Sequence, residues 1–134
     1  MILVDTSVLI SYFRGIKNEG TDKFQYVLDS NILFGINFFI YQEILQGVKT
    51  EKEFRIVKSY LDTQKFYNLL AGKESFAKAA LIFYKCREKG ITVGSTIDCL
   101  IAITAIENNL FLLHTDKDFE KIQKVAPLKF FNKF

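Results

Sequence analysis

The sequence predicts a three-layer α/β/α domain built around a central, mostly parallel sheet. Three observations carry this reading. Short apolar runs alternate along the chain with segments of helical spacing. Those runs are continuously apolar rather than alternating apolar with polar, the mark of strands buried on both faces by helices packed above and below. Finally, one proline and no low-complexity tract leave nothing to act as a linker, so the 134 residues read as one domain, long enough for a real core.

The elements follow in order. Residues 2–5 form a short buried strand. Over residues 7–13, Val8, Leu9, Tyr12 and Phe13 take helical spacing, and Gly15 marks the stop. Residues 22–30 form a second helix with Phe24, Val27 and Leu28 on one face, punctuated by Asn31. Residues 32–36 are a second strand, weakened by Gly35. Asn37 is placed to N-cap a helix over 38–48. Helices over 51–64 and 73–89 are broken by Gly72 and Gly90, with an extended piece over 66–70 between them. The stretch STIDCLIAITAIENN, residues 95–109, has the strongest helical pattern. Ile97, Leu100, Ile101 and Thr104 line one face, and Asn108-Asn109 ends it. A buried strand over 110–113, a short helix over 117–124 stopped by Pro127, and a last strand over 128–131 complete the chain.

Composition narrows the function classes. A hydrophobic fraction of 49% excludes a disordered chain, and a net charge of +3 neither announces nor excludes a nucleic-acid binder. The opening residues lack the basic leader of a signal peptide. The longest apolar region, 32–41, is half of the roughly 20 residues that span a bilayer. Cys86 and Cys99 lie in helical patterns without a His/Cys cluster, so they read as buried apolar residues rather than zinc ligands or a disulfide. The cytoplasm is the expected location, with no membrane partner.

Five carboxylates stand out by position. Asp5 sits at the carboxyl end of the first strand, where α/β sheets build ligand sites. The strand 110–113 runs out through His114 and Thr115 to Asp116, with Asp118 two residues on. Asp98 lies in the first turn of helix 95–109, on a segment almost free of charge. Glu43 lies on helix 38–48 beside Phe39, Ile40, Gln46 and Gly47, at the border of an apolar stripe. Each has a second reading taken singly. Asp5 and Asp116 can N-cap the helices they precede, Asp98 can complete a variant capping box with Ser95, and Glu43 can be solvated. Taken together, the acids fall where such a sheet places a site. Carboxylates sharing a pocket repel and stay ionised when a multivalent cation neutralises them. Oxygen-only ligation favours Mg2+ or Mn2+.

The ordered set resembles a known family. An apolar strand running into Asp5-Thr6-Ser7, a mid-chain Glu43 on a helix, the helix Asp98-Cys99-Leu100-Ile101-Ala102, and a strand leading into Thr115-Asp116-Lys117-Asp118-Phe119 resemble the PIN-domain family. The compact size resembles its VapC-type toxins of toxin–antitoxin pairs. The resemblance runs from residue 2 to about 131. It implies a metal-dependent endoribonuclease with Asp5, Glu43, Asp98 and Asp116 as catalytic, metal-holding residues and Asp118 as a further ligand. It also implies hydroxyls near the metal at Thr6 and Ser7, an RNA substrate, a cognate antitoxin and a homodimer. Asn37 departs from the pattern, standing where Ser or Thr is common, and the stretch from Lys17 to Asp22 reads as a plain linker.

Around this pocket, Arg14, Lys17, Lys117 and Lys121 are candidates to grip phosphates, each with a plain solvated reading beside it. Phe38, Phe39 and Tyr41 can stack bases, though at least two of them fit the core better. His114, the only histidine, reads as structural. Two rival classes stand beside the nuclease. A phosphohydrolase using Asp5 as a covalent nucleophile would carry a second acid two residues on, where this chain has Ser7. A non-catalytic interaction module would use the acids only as caps.

Overall fold

The computed structural model describes residues 1–132. Eleven elements follow one another: β1 (Ile2–Val4), α1 (Thr6–Phe13), α2 (Glu19–Asp29), β2 (Phe34–Gly35), α3 (Phe38–Gln46), α4 (Glu51–Leu61), α5 (Lys73–Glu88), α6 (Thr96–Glu107), β3 (Phe111–Leu113), α7 (Lys117–Gln123) and β4 (Lys129–Phe130). The sheet has the order β2-β1-β3-β4, and every pairing is parallel. The two inner strands are fully buried runs, apart from exposed Phe111 at the start of β3. They pair Ile2 with Phe111, Leu3 with Leu112 and Val4 with Leu113. That register brings their carboxyl ends out side by side, sealed by the Asp5 N–H bond to the Leu113 carbonyl at 2.9 Å.

Several boundaries differ from the sequence reading, each for a local reason. Asp5 is not the last strand residue; it is the N-cap of α1. The second helix begins at Glu19 rather than residue 22. Asn18 and Thr21 form a capping box, each side chain accepting the other's backbone N–H at 2.9 Å. The supposed linker is therefore a helix start. Helix α4 ends at Leu61, three residues early, with Asp62 as its cap. The extended piece 66–70 contributes a single parallel bridge, Phe66 with Ile36. Gly35 reflects crowding rather than weakness. A Cβ there would stand 2.5 Å from the Lys65 carbonyl and 2.7 Å from the Tyr67 ring, so only glycine lets that segment lie along the sheet.

Helix α6 departs most from its pattern. A one-sided stripe was expected, yet Asp98, Cys99 and 101–105 are all buried. The helix is enclosed almost all round, and Asp98 at its start is carried inside with it. Asn37 caps α3 as expected, accepting from Ile40 N–H at 2.8 Å, and its amide donates to Thr104 Oγ1 on α6 at 3.1 Å. Cys86 and Cys99 are buried free thiols. Among the described residues no helix is long and apolar enough to cross a membrane.

Candidate functional site

At the carboxyl edge of the sheet, β1 delivers Asp5 and β3 delivers the segment His114–Asp116. Asp5 is only 4% exposed. Its Oδ2 accepts from Ser7 N–H at 3.2 Å and from Ser7 Oγ–H at 2.6 Å, and Ser7 Oγ in turn accepts from Thr115 N–H at 3.2 Å. Ser7 thus ties the two strand exits together and fixes the Asp5 carboxylate. Behind it, Thr6 Oγ1–H donates to Glu43 Oε1 at 2.7 Å, reaching from α1 to α3.

The remaining acids come from α6 and α7. Carboxylate oxygens of Asp98, Asp116 and Asp118 all lie within 4.8 Å of one another. Asp116 caps α7 through Oδ1, which accepts from Asp118 N–H at 2.9 Å. Asp118 is held on both sides: Oδ2 accepts from Gly94 N–H at 2.9 Å, and Oδ1 pairs with Lys121 at 3.2 Å. Asp98 is different. It is 7% exposed and has no hydrogen-bond or ion-pair partner among the described residues. The alternative capping box with Ser95 does not form, because Ser95 Oγ accepts from Ile97 N–H and Asp98 makes no return bond.

The electrostatics follow from this crowding. Burial pushes the Asp98 carboxyl up to about 7, and the nearby carboxylates of Asp5, Asp116, Asp118 and Glu43 add to the rise. Burial likewise lifts Asp5 to about 6, against the hydrogen bonds from Ser7, with Glu43 adding to the lift. The four other acids named from the sequence all act on Asp98, but they are not equally placed. Asp98, Asp116 and Asp118 converge, while Asp5 and Glu43 stand close enough to act on Asp98 through charge. The capping and pocket roles also coexist: Asp5 and Asp116 cap their helices with one oxygen each.

Other expectations sort as follows. Lys121 is no free rim cation, since it binds Asp118 and donates to the Thr92 carbonyl at 3.0 Å. Arg14, Lys17 and Lys117 are exposed. Phe38 is exposed, while Phe39 and Tyr41 pack against the core. The sequence reading missed Gly94 altogether. Its N–H holds Asp118, and a Cβ there would stand 3.0 Å from Asp118 Oδ2. The available signal was a glycine directly before an N-cap serine.

The donor set is chemically uniform. It offers carboxylate oxygens without a cysteine or histidine, suited to a hard divalent cation. Asp98 in particular is buried at a cost that a cation would remove.

The chain is similar to several known proteins. The PIN domain family matches residues 2–125. Ribonuclease VapC11 of Mycobacterium tuberculosis is 29% identical over 130 residues, covering 96% of each chain. Among solved structures, VapBC2 from Rickettsia felis, bound to a DNA fragment from its promoter, has a TM-score of 0.74 at 18% identity, over 98% of each chain. A toxin–antitoxin complex from Klebsiella pneumoniae has a TM-score of 0.69 at 19% identity, over 96% of this chain and 99% of that one.

Proposed function

We propose that this chain, which belongs to the PIN-domain family, is a divalent-metal-dependent endoribonuclease and the toxin of a toxin–antitoxin pair. The observation that carries the reading is Asp98: a buried carboxylate with no partner, facing four other acids, in a chain similar to named VapC ribonucleases.

Asp98, Asp116 and Asp118 would hold the ion, with Asp5 and Glu43 completing its acidic surroundings. The ion is Mg2+ or Mn2+, as the all-oxygen donor set favours. When bound, such an ion acidifies water to a nucleophile and neutralises charge on the phosphoryl oxygens. The chain's own residues prepare that site. Ser7 holds the Asp5 carboxylate, Thr6 holds Glu43, and Gly94 with Lys121 holds Asp118, so the acids are fixed before a substrate arrives. Exposed Lys117, beside Asp116, is placed to meet an RNA phosphate. A covalent role for Asp5 is less suited to the site, because Ser7 occupies the position a second acid would need.

The antitoxin reading draws on the similarity to the Klebsiella complex, and a homodimer is consistent with Phe76, Leu81 and Tyr84 exposed along α5. The test is incubation of the purified chain with total RNA, with Mn2+ or with a chelator, followed by sequencing of the new ends. Cleavage at a restricted set of sites that stops on chelation is the expected result. RNA left intact with Mn2+ and with Mg2+ in its place would refute the reading.

A further inference from the structure

A cavity of about 550 Å3 opens beside Asp116, lined by the first turn of α2, the segment leaving β3 and the end of β4. Gly20 brings α2 this close: a Cβ there would collide with the Thr115 methyl. The volume is in the roughly 300–1,000 Å3 range of small-ligand sites. None of the metal-centred chemistry uses this space, although Asp116 borders both.

His114 forms one wall. Its ring packs against Phe130, with centroids 4.4 Å apart, and against Phe119 at 5.2 Å. Asp116 N–H donates to His114 Nδ1 at 3.1 Å, so Nδ1 is the acceptor and the ring proton resides on Nε2. That Nε2–H has no hydrogen-bond partner among the described residues. Nor is it sealed in: Tyr67 Oη is the one fully enclosed side-chain polar atom among them that lacks a partner, so His114 Nε2, like the Asp98 oxygens, keeps some access to solvent. His114 lines the cavity, and its Nε2–H is fixed, unused and open to solvent.

The charge of the lining decides what suits it. Lys23 and Lys117 face Glu19, Asp116 and Glu120, two ammonium groups against three carboxylates. A phosphate site would need the opposite balance. An uncharged, flat heterocycle with a hydrogen-bond acceptor on its edge meets both the charge and the aromatic walls of Phe130 and Phe131.

We propose that this cavity is a nucleobase subsite, holding the base of the RNA nucleotide next to the bond being cut, with His114 Nε2–H donating to that base and Phe130 and Phe131 packing on it. The assignment rests on the endoribonuclease reading. It makes His114 a specificity-determining residue rather than a structural one, since a fixed donor rejects a base edge that presents an amino group there.

Because His114 is the only histidine, its carbon-bound imidazole protons give isolated NMR signals. Adenosine, guanosine, cytidine and uridine are titrated one at a time, to millimolar concentration, into the metal-free chain. A saturable shift of the His114 signals, unequal among the four nucleosides, is the expected result. In a companion experiment His114→Asn keeps an acceptor for Asp116 N–H but lacks the Nε2–H donor. Its cleavage sites should show discrimination at one base beside the cut reduced about two- to tenfold, the worth of one hydrogen bond. Signals unmoved by any nucleoside, with unchanged site preference in the variant, would overturn the proposal. So would a saturable shift with free argininamide and none with nucleosides, which would assign the cavity to a protein partner's side chain. Nucleoside binding without RNA cleavage would support a base site while refuting the nuclease reading. Cleavage with a silent His114 and an unchanged variant would refute the subsite alone.

Discussion

Asp5 shows how one side chain serves two ends. One oxygen caps α1 through Ser7, and the charge it carries belongs to the acidic edge. Asparagine caps a helix as well as aspartate does, so Asp5→Asn separates the roles. The variant should fold with stability equal to or above that of the metal-free parent, because one charge leaves a repelling group. Its RNA cleavage should fall by about 100-fold or more, read in a single-turnover assay on total RNA. Retained cleavage would reduce Asp5 to a cap. Asp98 and Asp5 were legible as site candidates in the sequence because each sits at a seam between elements. Gly94 as a positioning group was harder to see, because its role depends on Asp118, a partner far along the chain that no local pattern connects to it. The Ser7 hydroxyl was expected near the metal, but its bond from Thr115 N–H was not.

Helices set these residues in place, and the anchoring of α6 is the element that matters most. At its far end Glu107 accepts from Leu70 N–H at 2.8 Å, from the buried Ser75 Oγ at 2.8 and 2.9 Å, and from Lys78 at 3.3 Å. These bonds outweigh the cost of burial and hold its carboxyl below the ordinary range. Glu107→Ala should cost about 1–3 kcal/mol, since the buried Ser75 hydroxyl loses its acceptor, while the exposed Leu70 N–H can turn to water. The loss is read as a lower denaturation midpoint at constant slope, with faster amide exchange in 68–72. The response of melting to Mn2+ should persist, because Glu107 lies at the other end of the helix from Asp98. The helical spacing of α6 was plain in the sequence. Its enclosure on nearly every side was not, because residues such as Ala102 and Ala105 carry little periodic signal and the layers that cover them are assembled from distant segments. Helix α2 was misplaced at its start for a similar reason: the Asn18–Thr21 capping box uses Thr in place of the acid that usually announces one.

Across the whole molecule, the parallel order β2-β1-β3-β4 gathers acids that are up to 113 residues apart onto one edge. The fold class was readable because continuous apolar runs and parallel pairing have the same physical cause. That Asp98, Asp116 and Asp118 share a pocket was expected as well; that these three lie nearest one another was not, since it depends on how α6 and α7 dock. This gathering has a pH signature. Asp5 and Asp98 bind protons more tightly folded than unfolded, their pKa values rising from 3.8 to about 6 and about 7. The folded state therefore holds more protons across that window, and stability must fall as pH rises. The metal-free chain should be most stable below about pH 4 as far as these two groups are concerned. It should lose up to about 1.4 kcal/mol per pH unit for each group until both are ionised, near pH 7–8. Saturating Mn2+ should flatten or invert the trend, because the ion binds the deprotonated form. Urea midpoints at pH 5 and pH 8, with and without Mn2+, read it directly.

On the proposed function, Asp98 is tolerated as a buried, partnerless carboxylate because a divalent cation completes it. Thermal melting of the parent and of Asp98→Asn at pH 8, each with Mn2+ and with chelator, tests this most directly. In chelator the variant should melt several degrees above the parent, since a buried charge is gone. Added Mn2+ should raise the parent by several degrees and leave the variant nearly unmoved. A parent indifferent to Mn2+, or a variant that melts lower in chelator yet responds to the metal as the parent does, would refute a cation site at Asp98.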